Sequence, residues 1–258
     1  MAQKDWNPDL YLKFNKERIQ PSIDLVSRIE INEPEKMIDI GCGPGNSTQI
    51  LAGRWPESKL LGIDKSEAMI AKAEADFPKQ KWKIFDVEAE EFNDSYNIVY
   101  SNAAIQWMGQ HEQLLKKLSD IVKPEGALAV QVPLFYSMPL SDSISRVATL
   151  PKWQPKTGSV DRLFTILSSS EYYDILSNLF ARVEMWQTDY IHIMESHSSI
   201  LEMMKSTGLK PYLEKLESES DKKEFTETVL GEIKKDYPMQ KDGKVLFPFI
   251  RLFFVGYK

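Results

Sequence analysis

Residues 37–48 read Met37-Ile38-Asp39-Ile40-Gly41-Cys42-Gly43-Pro44-Gly45-Asn46-Ser47-Thr48. An apolar run that enters a glycine-rich loop and continues into a helix-compatible segment predicts a strand, a tight turn and a helix. Glycines at alternate positions allow backbone conformations closed to other residues and let a ligand approach closely. We expect Asn46 or Ser47 to cap the helix. The loop lacks the spacing of dinucleotide sites and the lysine of a phosphate-binding loop; a glycine turn without a ligand is the alternative.

The composition is that of a globular protein with one large domain. The chain has 258 residues, 42% of them hydrophobic, and a formal net charge of -6 without a basic tract, so nucleic acid is not an expected partner. The single cysteine, Cys42, excludes an internal disulfide and suits a reducing cytoplasm. The first residues lack an apolar signal sequence, and no apolar run approaches the ~20 residues of a membrane span. We therefore expect a cytoplasmic protein without a membrane partner; the sequence leaves the oligomeric state open, and a monomer is favoured.

Strand and helix patterns alternate along the chain. Apolar runs predict strands at 37–40, 59–64, 81–85, 96–101, 127–132, 181–193 and 245–255, with a turn at 124–126. Helical spacing lies between most of them, at 47–55, 67–76, 111–122 and 171–179. This alternation predicts a doubly wound α/β fold with a mostly parallel, seven-stranded sheet. Such sheets bind ligands beyond the carboxyl ends of their strands.

Two helical segments accompany this sheet in what we interpret as a single domain over residues 1–258. Residues 1–30 have helical spacing broken by Pro21 and are predicted to form an N-terminal lid, with Tyr11, Phe14 and Arg18 turned toward the ligand. The alternative is a helix packed on the domain edge. Residues 194–243, helical throughout 197–236, are predicted to form a cap inserted before the last strand.

Aspartates stand near the ends of the first three predicted strands. Asp39 precedes the glycine loop, Asp64 ends the second strand and Asp86 follows the third. A carboxylate at the end of the second strand is suited to two ribose hydroxyls, and one after the third strand can accept from an exocyclic amine. Each aspartate alone could instead be a helix cap or turn residue. Their shared position beside a glycine loop favours a nucleoside-like ligand.

These motifs resemble those of the class I S-adenosylmethionine-dependent methyltransferases. Asp39–Gly45 is similar to that family's first motif, Gly62–Asp64 with Ser66 and Met69 to the second, and Phe85–Val87 to the third. The resemblance implies a Rossmann-like methyltransferase fold, S-adenosylmethionine as cofactor, S-adenosylhomocysteine as its product, and no metal. It implies that the glycine loop lies against the methionine moiety, Asp64 against the ribose, and Asp86 with Val87 against the adenine. The cofactor-binding residues implied are Asp39, Gly41, Cys42, Gly43, Asn46, Asp64, Lys65, Met69, Asp86, Val87 and Asn102.

A narrower resemblance, to the trans-aconitate 2-methyltransferases, extends over nearly the whole chain. It is carried by Asp5–Pro8 with Tyr11, Phe14 and Arg18, by Gly43–Thr48, by Ser101–Trp107, by Leu128–Pro133 and by Phe249–Val255. That family implies methyl transfer to a carboxylate of a small tricarboxylic acid, giving a monomethyl ester. One segment departs from it: Leu134-Phe135-Tyr136 replaces residues that are usually polar. An apolar or phenolic acceptor is therefore an alternative, as is a regulatory protein that binds the cofactor without turnover.

The chemistry that the resemblance implies needs alignment more than acid or base catalysis. A carboxylate acceptor is ionised at pH 7 and needs no general base, and we assign His111, His192 and His197 ordinary structural roles. An anionic substrate calls for arginine, whose planar group pairs with a carboxylate through two hydrogen bonds. The arginine candidates are Arg18, Arg146, Arg162 and Arg251, with a structural ion pair as the alternative for Arg251 and a surface role for Arg182. The positioning candidates are Tyr11, Arg18, Asn102, Gln106, Trp107 and Arg251.

Overall fold

The structure is a computed structural model that describes residues 15–158, 160 and 163–258, and only the backbone of residues 15–18. Its strands are β1 Lys36–Ile40, β2 Lys59–Asp64, β3 Lys81–Ile84, β4 Tyr96–Asn102, β5 Val122–Pro133, β6 Arg182–Met194 and β7 Val245–Tyr257. Its α-helices are α1 Asn15–Ser27, α2 Asn46–Arg54, α3 Glu67–Asp76, α4 His111–Asp120, α5 Pro139–Ala148, α6 Gln154–Thr157, α7 Ser169–Leu179, α8 His197–Lys205, α9 Lys210–Lys215 and α10 Glu219–Asp236. Among the helices described, none combines the length and apolar character needed to span a bilayer.

The strands form one seven-stranded sheet in the order β3-β2-β1-β4-β5-β7-β6. The strands from β3 to β5 in this order pair in parallel. β7 runs antiparallel to β5, because the amide of Leu134 donates to the carbonyl of Ile250 and the amide of Lys258 donates to that of Gly126. The predicted doubly wound, mostly parallel α/β sheet is therefore confirmed, as is the helical segment that precedes the last strand.

The central strands carry near-continuous apolar runs because helices cover both faces of a parallel sheet. In β1, Met37, Ile38 and Ile40 are buried, and in β5 every residue from Ala127 to Val132 is inaccessible to solvent. The register places Asp39 beside Gly62 of β2 and Tyr100 of β4. The carboxyl ends of β1, β2 and β4 therefore meet at one edge of the sheet.

The chain divides into two compact units. The first contains the described residues up to Pro133 together with Phe164–Gln187 and Leu252–Lys258. It contains the parallel strands. In the parts of β6 and β7 that belong to it, Trp186 stacks face to face on Phe253, with ring centres 4.9 Å apart. The predicted division into one domain with a lid and a cap stays a prediction.

The second unit contains the described parts of Leu134–Leu163 and Thr188–Arg251. Its helices α5 and α10 are joined by the amide of Leu140, which donates to the Tyr237 hydroxyl at 2.9 Å. Trp153, which precedes α6, packs edge-on against Phe225 of α10 with ring centres 5.5 Å apart. Both aromatic rings are buried, so this unit has an apolar interior of its own.

Three local predictions were wrong. Pro21 lies inside α1 without ending it, because the buried Leu25 and Val26 anchor a helix in which proline removes one hydrogen bond. The predicted turn at 124–126 lies within β5, where Glu125 takes a φ of 60° opposite an irregularity in β4. The segment 197–236 forms three helices, because proline is tolerated in the first turn of α9 and Ser218 caps α10 through the Asp221 amide.

Candidate active site

The loop between β1 and α2 depends on glycine at alternate positions. Gly41, Gly43 and Gly45 have φ angles of 67°, 55° and 92°, in the left-handed region that favours glycine. A Cβ on Gly41 would lie 2.3 Å from the Cβ of Ala104, whereas one on Gly43 would meet no atom of the described residues within 4 Å. Gly41 is therefore required by packing, and Gly43 leaves open space beside the loop.

The predicted cap of α2 was wrong. Gly45 occupies the N-cap position without a side-chain hydrogen bond, and Asn46 and Ser47 lie in the first turn. The hydroxyl of Ser47 donates to Asp39 Oδ2 at 2.9 Å, and that of Thr48 donates to the same oxygen at 2.6 Å. The buried carboxylate of Asp39 needs these donors, so the hydroxyls face the end of β1.

Asp39 supports the loop from behind. Its side chain is fully buried, and Oδ1 has no hydrogen-bond partner within the described part of the chain. Burial raises the pKa of Asp39 to about 7, although the hydrogen bonds from Thr48 and Ser47 act in the opposite direction. Asp39 therefore tethers α2 to β1.

Asp64 connects the glycine loop to the start of α3. Its Oδ2 accepts the amide of Gly43 at 2.9 Å, and its Oδ1 accepts the amide of Ser66 at 2.9 Å. Ser66 in turn caps α3 by accepting the amide of Met69 at 3.2 Å. The carboxylate of Asp64 thus links the glycine loop to the start of α3.

The segment after β3 completes this edge of the sheet. The amide of Phe85 donates to the carbonyl of Asp64 at 3.0 Å, and Asp86 Oδ1 accepts the amide of Glu88 at 2.9 Å. Glu88 Oε1 then accepts the amide of Gly109 at 2.8 Å. Asp86 and Val87 are thus held beside Asp64, on a turn fixed by its own hydrogen bonds.

These segments line one hollow in the first unit. Its wall includes every predicted cofactor residue except Asp39, which lies behind the loop. The sequence analysis did not predict Pro44, Phe85, Glu88, Ala103, Ala104 and Met108, nor Ile19 and Ser22 of α1, which also line it. Ser22 is within 2.7 Å of the Tyr100 hydroxyl, so α1 is hydrogen-bonded to β4. The glycine loop and the two aspartates therefore face a common space.

Comparisons with known proteins agree with this geometry. The family profile described as "Methyltransferase domain" matches residues 11–214. The chain belongs to the methyltransferase family. It is 38% identical over 256 residues, 98% of each chain, to "Trans-aconitate 2-methyltransferase" of Variovorax paradoxus. It is also 38% identical over 255 residues, again 98% of each chain, to the protein of the same name in Yersinia pseudotuberculosis.

Solved structures of low identity share the fold of this methyltransferase. The YcgJ protein of Bacillus subtilis superposes with a TM-score of 0.60 at 14% identity, covering 93% of this chain and 98% of that one. Phosphoethanolamine N-methyltransferase 2 of Haemonchus contortus, in complex with S-adenosyl-L-methionine, superposes with a TM-score of 0.60 at 15% identity, covering 97% and 56%. With the family match, the predicted class, an S-adenosylmethionine-dependent methyltransferase with a Rossmann-like fold, is confirmed.

The predicted positioning residues fall into different places in the methyltransferase. Asn102 and Trp107 line the hollow, and Asn102 Oδ1 is buried without a hydrogen-bond partner among the residues described. Gln106 is buried, and its Nε2 donates to the carbonyl of Ala103 at 2.7 Å, which supports the turn after β4. Tyr11 lies outside the described residues, as do Phe14 and Arg162. Arg18 lies on α1, and its side chain is also outside them.

Of the described arginine candidates, Arg251 is the one that is buried. Its guanidinium carbon lies 4.6 Å from the centre of the Phe249 ring. Arg146 pairs with Glu232 at 2.9 Å and with Asp236, so its group already has two anionic partners. Arg182 has the predicted surface role and pairs with the exposed Glu30 at 2.6 Å and the half-buried Glu184 at 2.7 Å.

Two of the three histidines have the structural roles that were expected. His111 Nε2 donates to the carbonyl of Ile105 at 2.9 Å, and its Nδ1 accepts from the Tyr172 hydroxyl at 2.7 Å. His197 Nε2 donates to the carbonyl of Tyr237 at 2.7 Å. His192 differs, because its Nε2 is buried without a hydrogen-bond partner in the described chain.

Proposed function

We propose that this methyltransferase esterifies a carboxylate of a small acid, with trans-aconitate as the first acceptor to test. The observation that carries the cofactor part of the proposal is the direct hydrogen bond between the Gly43 amide and Asp64, both of which line the hollow. The curated relatives named trans-aconitate 2-methyltransferase support the acceptor. The product would be the monomethyl ester.

The residues of the hollow suit an adenosyl ligand. The space beside Gly43 accommodates the methionine chain, and the Asp64 carboxylate, which lines the hollow, is suited to accept from two ribose hydroxyls. Asp86 can accept from the adenine amine while the buried Val87 contacts its ring. The unpartnered Oδ1 of Asn102 fits a donor such as the cofactor's ammonium group. Gly41, Cys42, Asn46, Lys65 and Met69 complete the proposed wall.

Bound S-adenosylmethionine supplies a methyl group already activated by its positively charged sulfur. The chain's own contribution is to hold the two reactants in line and exclude water. Trp107 packs edge-on against Phe164 with ring centres 4.6 Å apart, so it provides a rigid wall that helps to exclude water. A carboxylate acceptor is ionised at neutral pH, so no side chain has to remove a proton.

We also propose that the helical segments form an N-terminal lid and a cap inserted before the last strand. Ile19 and Ser22 of α1 line the hollow, which supports a lid within residues 1–30. Helices α8 to α10 supply the cap within residues 194–243. The enzyme would act as a monomer in the cytoplasm, a compartment that suits the free thiol of Cys42.

A second candidate function is methylation of an apolar or phenolic acceptor. The loop Leu134-Phe135-Tyr136 favours it, because Phe135 is buried and Tyr136 is 39% exposed, whereas the resemblance to the trans-aconitate 2-methyltransferases implies polar residues there. Incubating a panel of carboxylic acids and phenols with labelled S-adenosylmethionine, followed by mass analysis, separates the two. Phenolic ethers without methyl esters would reject the carboxylate proposal. Cofactor binding without any transfer would indicate a regulatory protein.

The cofactor assignment has its own test. Asp64→Ala should weaken S-adenosylhomocysteine binding about 10- to 100-fold in calorimetric titration, the effect of losing hydrogen bonds to a charged group. Asp64→Asn keeps one acceptor oxygen, so its affinity for S-adenosylhomocysteine should lie between those of the wild type and Asp64→Ala. Asp120→Ala removes an exposed carboxylate paired with Lys116 and serves as the control. Unchanged affinity in Asp64→Ala would disprove the ribose assignment.

A further inference from the structure

A buried cation and a histidine share an aromatic environment in the second unit. Arg251 of β7 is 4% exposed and is the one lysine or arginine among the described residues that is buried. Its guanidinium lies over the ring of Phe249, and the His192 ring of β6 lies 5.9 Å from that same ring. Tyr190 stacks on His192 at 6.5 Å, and Phe247 lies 6.3 Å away.

The state of His192 is unusual for a structural residue. Its Nε2 is buried, yet no described residue forms a hydrogen bond with it. A buried polar atom left without a partner costs free energy, so such atoms often mark the position of a ligand or water. Burial, together with the positive charge of Arg251, lowers the pKa of His192 to about 4. At pH 7 the ring is neutral, and Arg251 is the positive charge of the pair.

The loop after β5 lies directly beside Arg251. The amide of Leu134, the first residue after β5, donates to the carbonyl of Ile250 at 2.9 Å. Phe135 is buried against Gly208, where an added Cβ would lie 3.0 Å from its ring. Tyr136 packs edge-on against Phe135 at 5.7 Å. The loop that begins beside Ile250 thus carries two aromatic side chains, and the ring of Phe249 lies directly against the Arg251 guanidinium.

We propose that Arg251 and His192 together bind one carboxylate of the acceptor, and that the surrounding aromatic side chains hold an unsaturated or aromatic carbon body. Arg251 would supply two N–H donors and the charge, and the Nε2–H of His192 a third donor. A single positive charge matches a single carboxylate, so the enzyme should also bind acids with one carboxyl group. This inference rests on the proposed function and specifies its acceptor class.

Direct binding tests the subsite without relying on turnover. Trans-aconitate and cinnamate are titrated into protein loaded with S-adenosylhomocysteine, with cinnamide as the neutral analogue. Both acids should bind, and cinnamide should bind at least about 10-fold more weakly because it lacks the charge that Arg251 recognises. Equal binding of cinnamate and cinnamide, or binding of neither acid, would overturn the subsite.

Variants of Arg251 and His192 test whether the acids bind at these two residues. Arg251→Gln and His192→Phe should each raise the Kd of both acids about 10-fold or more, whereas His192→Gln, whose amide can donate near the position of Nε2, should have a smaller effect. Arg182→Gln, at an exposed arginine, should match the wild type. S-adenosylhomocysteine affinity should stay unchanged throughout, which verifies folding. If Arg251→Gln does not fold, the Kd values of the acids for His192→Phe and His192→Gln test the subsite.

The outcomes separate this inference from the proposed function. If the acids bind through Arg251 and His192 but no methyl ester forms, the esterification proposal fails and the subsite stands. If esters form while folded His192→Phe and Arg251→Gln keep wild-type Kd values for the acids, the subsite fails and the esterification proposal stands.

Discussion

Asp39 shows how one buried carboxylate shapes its surroundings. It accepts hydrogen bonds from the hydroxyls of Ser47 and Thr48, and this demand for donors places Ser47 inside α2, whereas the sequence analysis predicted Asn46 or Ser47 as the cap. Its pKa of about 7 lies above the usual 3.8, so the folded chain holds a proton that the unfolded chain releases between about pH 4 and pH 7. Stability from this group is fully present below pH 4 and is lost as the pH rises through 7.

Asp39→Asn should therefore flatten the pH dependence of stability. Urea unfolding of the wild type should show a free energy of unfolding that declines by up to about 1.4 kcal/mol per pH unit between pH 4 and 7 from this residue. Asparagine cannot ionise, so the variant should lose that contribution. Asp120→Asn, an exposed carboxylate on α4, should keep the wild-type slope. Identical slopes in wild type and Asp39→Asn would contradict the raised pKa.

At the scale of the element, the glycine loop contains one glycine that packing requires, Gly41, and one that we expect to contact the ligand, Gly43. Gly41→Ala should destabilise the fold by about 3 kcal/mol or more, because its Cβ would overlap Ala104 at a positive φ. Gly43→Ala should cost only the backbone strain, about 1–2 kcal/mol, since its Cβ meets open space. Its methyl group should instead weaken S-adenosylhomocysteine binding. Urea titration and calorimetry on both variants check this, and equal destabilisation would contradict it.

The elements also show which features a sequence can predict. The strands were predicted well because a buried parallel strand needs an uninterrupted apolar run, as in Ala127–Val132. Asp64 and Asp86 were predicted as site residues because strand ends meet at one edge. The bulge at Glu125 depends on backbone strain, for which the sequence has no periodic signal, whereas the break before α9 is marked by Pro211 in the first turn of that helix and was overlooked. Glu88 and Met108 reach the hollow from irregular loops, so no pattern marked them.

At the scale of the whole molecule, the proposals assign one ligand to each compact unit. The cofactor residues belong to the first unit, and Arg251 and His192 belong to the second. Ligands that bind only the folded state stabilise it by about 2.7 kcal/mol at 100 times their Kd. Each ligand should therefore slow amide hydrogen exchange mainly in the unit that binds it.

S-adenosylhomocysteine alone should slow exchange in peptides covering 41–46, 63–69 and 85–88, because these segments line the hollow. Adding trans-aconitate should then slow exchange at 188–193 and 247–251, where β6 and β7 carry His192 and Arg251. Helix α7, none of whose residues lines the hollow, is the internal control and should stay unchanged with either ligand. Protection of 188–193 by S-adenosylhomocysteine alone, with no further change on adding the acid, would mean that the acceptor does not bind at Arg251 and His192. The order of protection thus tests both assignments in the intact chain.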